Sequence, residues 1–165
     1  MYRKITIDGL SQENLTKAIK EVRKYKVWVE QKEAVLRQKL AERGAAVARI
    51  AFTGATYDGT NDVTVRVDNT GSVAVIYAEG SAVAFIEFGS GITHGYGHPQ
   101  ADEFGMGPGT WSDGELGKGH WDDPHGWYYA HGKKTHGNPP AMAMYKAVQA
   151  MTEDLTTIAK EVFSS

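Results

Sequence analysis

Six histidines of this 165-residue chain fall between His94 and His136, interleaved with aspartates and glycines. Imidazole and carboxylate groups are the ligands of catalytic zinc sites that keep one position open for water, so metal-assisted hydrolysis is the first chemistry to weigh. His94 and His98 are four residues apart, a spacing that places two ligands on one face of a helix. Gly95 and Gly97 lie between them, however, Pro99 follows, and Gly95 stands where a zincin motif has Glu. His120, Asp122, Asp123 and His125 form a second cluster, and His131 and His136 a third. No recognised spacing joins these groups. Loop histidines making ordinary hydrogen bonds are the commoner outcome, so no metal and no cofactor is expected. If a metal binds, His94, His98, His120, Asp122 and His125 are its candidate ligands.

Other chemistries find weaker footholds. Ser90 in Gly89-Ser90-Gly91 and Ser112 both lack the Gly-x-Ser-x-Gly elbow that exposes a nucleophilic serine. Gly105-Met106-Gly107-Pro108-Gly109 lacks the Gly-Lys-Ser/Thr ending and the following helix of a phosphate-binding loop. Trp111, Trp121, Trp127, Tyr128 and Tyr129 could stack on sugars, but the acidic surroundings oppose a polyanion. Aromatic residues in a glycine-rich stretch either anchor it to the body or enter a protein interface, and these five are interface candidates. With no cysteine, disulfides, thiolate metal sites and cysteine nucleophiles are all excluded. Two enzyme or binding alternatives therefore remain beside a structural reading: a metal-dependent hydrolase using His and Asp of the 94–136 loop, and a carbohydrate-binding module using its tryptophans.

The formal net charge of −2 is a cancellation. Residues 1–50 carry 12 Lys and Arg against 6 Asp and Glu, giving +6, whereas residues 51–165 carry 6 against 14, giving −8. Lys17, Lys20, Arg23, Lys24 and Lys26 interleave with Glu13, Glu21, Glu30 and Glu33, the composition of a solvated helix face rather than of a site for sequence-specific nucleic acid binding. A basic surface on one copy could meet an acidic surface on the next, a head-to-tail contact that closes into a ring when the rotation permits. No apolar leader follows Met1-Tyr2-Arg3-Lys4, and the longest apolar run, Val73 to Ala78, is far short of the ~20 residues of a membrane span. Neither export by a signal nor membrane insertion is expected.

The elements that must position these residues follow from periodicity. A short strand over Lys4 to Ile7 precedes Ser11, a good N-cap with Glu13 in the first turn. Leu15, Ala18, Ile19, Val22, Val29, Leu36 and Leu40 recur at three- and four-residue steps, predicting one long helix, or two joined near Tyr25 to Val27, ending at Gly44. Val47 to Phe52 reads as a strand, although the alanines before it also allow the helix to continue. Val63, Val65 and Val67 alternate with polar residues, and Asn69-Thr70-Gly71 would turn this strand into Ser72 to Glu79. Ser81 as N-cap and Gly89 as C′ residue frame a two-turn helix, Ala82 to Phe88. Thirteen of the 19 glycines lie between Gly89 and Gly137, so residues 89–138 read as a long loop with one short strand near Gly126 to Tyr129. A last helix begins at Pro139-Pro140, with Met144, Ala147 or Val148, Met151, Leu155, Ile158 and Val162 on one face. The expected architecture is a single α+β domain. Its N-terminal helix or helix pair (1–44) and C-terminal helix (139–163) pack on a small antiparallel sheet with a short helix (45–88), beside a Gly/His/aromatic-rich loop (89–138).

Several of these stretches together resemble a known family. Ala84-Phe85-Ile86-Glu87-Phe88-Gly89-Ser90-Gly91-Ile92 is similar to the apolar-apolar-Glu-Phe-Gly-Thr/Ser-Gly signature of the tail-component family of long-tailed bacteriophages, minor virion proteins of head–tail joining and tail completion. Tyr57-Asp58-Gly59-Thr60-Asn61-Asp62-Val63, Gly126-Trp127-Tyr128-Tyr129 and Thr135-His136-Gly137-Asn138-Pro139-Pro140-Ala141-Met142, followed by Met144-Tyr145, look like its form in phages and prophages of Gram-positive bacteria. The likeness spans roughly Phe52 to Ala150. Ser90 replaces the commoner Thr, and Pro140-Ala141-Met142 replaces an Arg-Pro-Phe-like run, so a partner contact made by that arginine does not carry over. The resemblance implies an α+β fold and no catalysis. It implies a neck or tail-completion subunit that forms a ring with copies of itself and contacts head-connector and tail-tube or tail-terminator proteins, in the virion and, during assembly, in the host cytoplasm. Phe85, Glu87, Phe88, Gly89 and Gly91 are then structural-motif residues. Glu87, between Ile86 and Phe88 on an apolar helix, either points to water or is buried with hydrogen-bond or cationic partners.

Overall fold

The computed structural model describes residues 9, 11–57, 59, 61–91, 94, 97–105, 125–128 and 132–164. The order of elements is α1 (Gln12–Thr53), β1 (Thr64–Asp68), β2 (Val75–Glu79), α2 (Val83–Phe88), β3 (Trp127–Tyr128), β4 (Lys134–Thr135) and α3 (Ala143–Ser164). The fold is α+β, a long N-terminal helix and a C-terminal helix associated with a small antiparallel sheet. The strand expected over Lys4 to Ile7 lies outside the described residues.

Ser11 caps α1 as its position suggests, its Oγ accepting from the Asn14 amide at 3.2 Å. Beyond Gly44 the chain departs from expectation. Neither a break near Tyr25 nor a strand over Val47 to Phe52 forms, and one helix of 42 residues, about 63 Å long, runs through to Thr53. The physical reason is the partner. Ala41, Gly44, Ala45, Ala48 and Phe52 are buried at three- and four-residue steps, and α3 presents Ala143, Ala147 and Ala150, so small residues let two helices approach closely. Alanine, the best helix former, supports the same outcome locally. Gly44 is thus a mid-helix packing residue, not a C′ residue. A Cβ there would lie 2.7 Å from both Ile76 Cδ1 and Met151 Sδ.

Helix α3 runs antiparallel to the second half of α1. Phe163 meets the Trp28 ring edge-on at 5.8 Å between centroids, Lys39 pairs with Glu161 at 2.5 Å, and Arg43 pairs with Asp154 at 2.7 Å. Both ion pairs are exposed, so each is worth only ~0.2–1 kcal/mol, and the buried alanine seam dominates. α3 starts at Ala143, not at Pro139-Pro140. Pro140 packs instead against the turns at Gly89 and Gly97, and Met142, at φ 53°, redirects the chain into the helix.

The hairpin has the expected valines on its inner face. Val65 and Val67 of β1 and Ile76 and Ala78 of β2 are half-buried, while Thr64, Arg66, Val75, Tyr77 and Glu79 point to solvent. Pairing runs from Thr64↔Glu79 to Asp68↔Val75, so the connection spans residues 69–74 rather than the expected three. Asp68 accounts for this, because its carboxylate accepts from Thr70 N–H and Oγ–H and curls the chain before it can turn back. Arg49 of α1 ties the helix to the hairpin, donating from Nε and a terminal nitrogen to the Val65 carbonyl at 3.2 and 3.1 Å. The core sits where α1, α2 and α3 meet and contains Ala48, Phe52, Ala82, Ile86, Ala143 and Ala147, with Val63, Val65 and Ala78 of the hairpin region against it. β3 and β4 form a second, two-residue ladder. β4 was not apparent from the sequence. No described helix is long and apolar enough to cross a membrane.

Candidate functional site

The signature segment folds around a buried carboxylate. α2 is only six residues long, and its C-terminal end points Glu87 at the start of α3. There Glu87 Oε2 accepts the Met144 amide at 2.9 Å and Oε1 the Tyr145 amide at 3.0 Å, satisfying two of the unpaired donors at a helix N-terminus, where negative charge is also favoured by the helix dipole. His98, 5% exposed, approaches the same carboxylate with Nε2 at 3.3 Å from Oε1. Its Nδ1 accepts the Gln100 amide at 3.1 Å, which assigns the ring hydrogen to Nε2 and makes His98 a donor to Glu87. Phe88 and Tyr145 enclose the imidazole, with centroids at 4.5 and 5.6 Å. Of the two options open to Glu87, burial with partners is the one realised.

The rest of the signature threads two backbones together. Ser90 N–H donates to the Asn138 carbonyl at 2.9 Å, Ser90 Oγ–H to Asn138 Oδ1 at 2.6 Å, and Asn138 Nδ2–H to the Phe85 carbonyl at 3.0 Å. Ala141 N–H reaches the Ile86 carbonyl at 2.7 Å, and Met142 N–H the Glu87 carbonyl at 3.2 Å. A Cβ on Gly89, at φ 77°, would lie 2.8 Å from Pro140 N, and one on Gly91 would run into the His136 carbonyl. Phe85 stacks on Tyr57, with centroids at 4.2 Å and planes 8° apart.

A second clasp lies in the 57–63 segment. Asn61 Nδ2–H donates to the Phe52 and Ala55 carbonyls at 2.6 and 2.8 Å, closing the C-terminus of α1, while its Oδ1 accepts the Val63 amide. Asp62 accepts Ser81 Oγ–H and N–H at 2.7 Å each and the Ala82 amide at 3.2 Å, so the N-cap position of α2 is Ala82 and Ser81 serves Asp62 instead. The Ser81 hydroxyl, then the Ser81 and Ala82 amides, hold the Asp62 carboxyl below its ordinary pKa of 3.8. A depressed folded value means that the stabilisation is complete above the unfolded value and is lost as pH falls below 3.8 toward the folded value. Asp62→Asn is therefore expected to be less stable than the parent at pH 7. The gap should narrow as urea midpoints are followed from pH 5 down to pH 2, and a constant gap would contradict this role.

Comparison of the chain with family models, with curated proteins and with solved structures gives no match.

Among the described histidines, His98 meets a carboxylate, and both its nitrogens are engaged. His94 uses its backbone, donating to the Gly91 carbonyl and accepting from the Gly97 amide, and His125 is exposed. Among the described residues no three His, Asp or Glu side chains gather as a metal site. Asp122, Asp123, His120, His131, Ser112, Trp111, Trp121, Tyr129 and the 106–109 part of the glycine-rich run lie outside the described residues. Trp127 is buried against Gly91, the anchoring use of a loop aromatic, while its neighbour Tyr128 is 67% exposed. Asn61, Asp62, Asn138 and Tyr145 stand in the family-like segments, but the sequence pattern assigns them no role; the structure makes the first two caps and the last two parts of the clasp. An Asn-Asp pair set between the end of one helix and a β-run is the signal that could have revealed those caps.

Two apolar surfaces stand out among the described residues. Between Gln12 and Val27 no residue of α1 is buried, because α3 ends at the level of Trp28; a tip of about 24 Å projects beyond it. Leu15, Ile19 and Val22 form a stripe along this tip and are 40%, 52% and 53% exposed. The other surface is a groove of about 540 Å³ at the junction of α1, α3 and the hairpin, lined by Leu40, Val73, Val75, Val148 and Met151 among others.

Proposed function

We propose that this chain is a non-enzymatic structural subunit of a long-tailed phage virion. It acts as a neck or tail-completion protein that assists head–tail joining by assembling with its own copies into a ring between the head connector and the tail tube or terminator. The observation that carries this reading is the apolar tip of α1. A helix stripe left in water forgoes roughly 25 cal/mol for each Å² of apolar surface that a partner would cover, and contiguous apolar patches mark interaction surfaces. The likeness of residues 84–92, 57–63 and 135–142 to the tail-component family supplies the partner class. Those residues are spent on clasping α2 to α3 and on capping α1, which leaves the outer surface to carry the function. The +6 and −8 parts of the chain support contact between unlike surfaces of successive copies.

The expected phenotype of a phage lacking this gene is filled heads and separate tails, with joining restored by supplying the protein and with antibody label at the neck of normal particles. Joined, infectious particles assembled without the protein would overturn the proposal. In solution at low salt, sedimentation should give a mass of several chains at high protein concentration, and a persistent single-chain mass would count equally against it.

A further inference from the structure

We infer that the groove beside the hairpin takes an extended segment of another protein, which adds as a strand to the free edge of β2 and brings a carboxylate to Arg37. This does not depend on the ring proposed above, which is carried by the α1 tip. β2 and the connection before it line the groove from Val73 to Ile76, and no residue of β1 does. Val75 and Ile76 point to opposite faces of the hairpin, yet both line it, so the groove runs along the outer edge of β2. That edge is unpaired. Arg49 of α1 bonds the Val65 carbonyl, which therefore faces away from β2, and Val65↔Ala78 and Val67↔Ile76 are the non-hydrogen-bonded pairs of the ladder. Ile76 and Ala78 thus turn their N–H and C=O groups outward, where none has a partner among the described residues. Across the groove stands α3, with Met144, Val148 and Met151. Val75 and Val148 are 38% and 57% exposed, so apolar surface is open on both walls.

A free strand edge faced by an apolar helix is the arrangement for strand addition, in which main-chain hydrogen bonds give affinity and alternate side chains reach the groove. The occupant is therefore extended, with apolar residues at every second position. A helix has already spent its main-chain groups internally and cannot pair with Ile76 and Ala78. The β2 strand of a second copy is unsuited for another reason: its own Ile76 and Ala78 are half-buried in its own fold and leave nothing to meet Val148 and Met151. Charge completes the description. The charged residue lining the groove is Arg37. Glu33 holds its Nη1 at 2.6 Å, but its Nε is buried with no acceptor among the described residues. Nε and Nη2 form the guanidinium edge with which Arg49 grips the Val65 carbonyl, and such an edge takes a carboxylate through two parallel hydrogen bonds. A lysine arriving there would set like charge against a donor that already lacks an acceptor.

Capped seven-residue peptides with threonine at the odd positions, valine at the second and sixth, and aspartate, asparagine or lysine at the fourth are the probes. The aspartate peptide should bind about tenfold tighter than the lysine peptide and should slow hydrogen exchange at the Ile76 and Ala78 amides. In Arg37→Gln that preference should fall below about twofold. Methylating the peptide nitrogens that face β2 should abolish binding to the unaltered chain. Ala78→Pro removes one outward donor at an edge position, where proline is tolerated, and should weaken binding about tenfold with an unchanged far-ultraviolet circular dichroism spectrum. No binding of any of the three peptides at millimolar concentration overturns the proposal, and so does binding that leaves both amides exchanging freely. Protection of the same amides in the chain alone, rising with its sedimenting mass, would make a second copy the occupant instead. A single-chain mass with the aspartate peptide bound and both amides protected supports the strand addition and overturns the ring, whereas a ring that binds no peptide overturns the strand addition alone.

Discussion

Glu87→Ala is expected to lower the unfolding free energy by about 3–5 kcal/mol, a large share of the ~5–15 kcal/mol typical of a whole domain. Three donors lose their acceptor at once: the Met144 and Tyr145 amides and the His98 Nε2–H. Each would be left in a site enclosed by Phe88 and Tyr145, where an unmet donor costs ~1–3 kcal/mol. Glu87→Gln separates charge from shape. It retains one oxygen but turns an amide NH2 toward a helix start that offers only donors, so its cost should fall between that of alanine and zero. Urea midpoints give the magnitude, and hydrogen exchange gives the location, with protection lost first around Met144 to Lys146. A loss below ~0.5 kcal/mol for the alanine variant would remove Glu87 from this role.

Gly137→Ala should cost about 2–4 kcal/mol by a different route. Gly137 has φ 101°, where a side chain is strained, and a Cβ there would run into the backbone carbonyl of Ser90. The obstacle is main chain, so no rotamer change relieves it. The two backbone segments at 90 and 138 must separate, breaking the Ser90–Asn138 hydrogen bonds. Gly132→Ala is the control. Its φ of 83° carries a comparable conformational penalty of ~1–2 kcal/mol, yet nothing lies within 4 Å of the added carbon. The difference between the two variants measures the close approach alone, and equal losses would deny that the clasp depends on it.

These two positions also mark where the sequence was legible and where it was not. The alternating valines of β1 and the stepped apolar residues of α3 reveal their elements because each pattern repeats within a few residues and reports one buried face. Ser11 is legible for the same local reason. Residues 47–52 mislead because Val-Ala-Arg-Ile-Ala-Phe can be read at period two; only the alanines of α3, some 95 residues later, make period 3.6 the one that buries them. The clasps are harder still. Glu87 meets amides 57 and 58 residues away, and Ser90 pairs with Asn138 across 48. Nothing periodic connects such partners. The family resemblance marked Phe85, Glu87 and the glycines, but the work that Glu87 performs becomes apparent only when α3 is seen to begin on it. The histidine cluster shows the reverse: composition drew attention to His94 and His98 together, while the fold gives His98 a carboxylate and His94 a turn.

The unbroken course of α1 has a mechanical consequence. From Leu15 to Phe52 the helix is a rod of about 55 Å, gripped along its second half by α3 and free over its first 16 residues. Such a rod is a cantilever, clamped as far as the aromatic contact of Trp28 with Phe163. A bend of ~5° there carries the free end sideways by about 2 Å, while the packed end around Phe52 stays where it is. In the assembly proposed above, small differences in angle between neighbouring copies would thus be absorbed at the tip, without loosening the clasps that hold α2 and α3 in place.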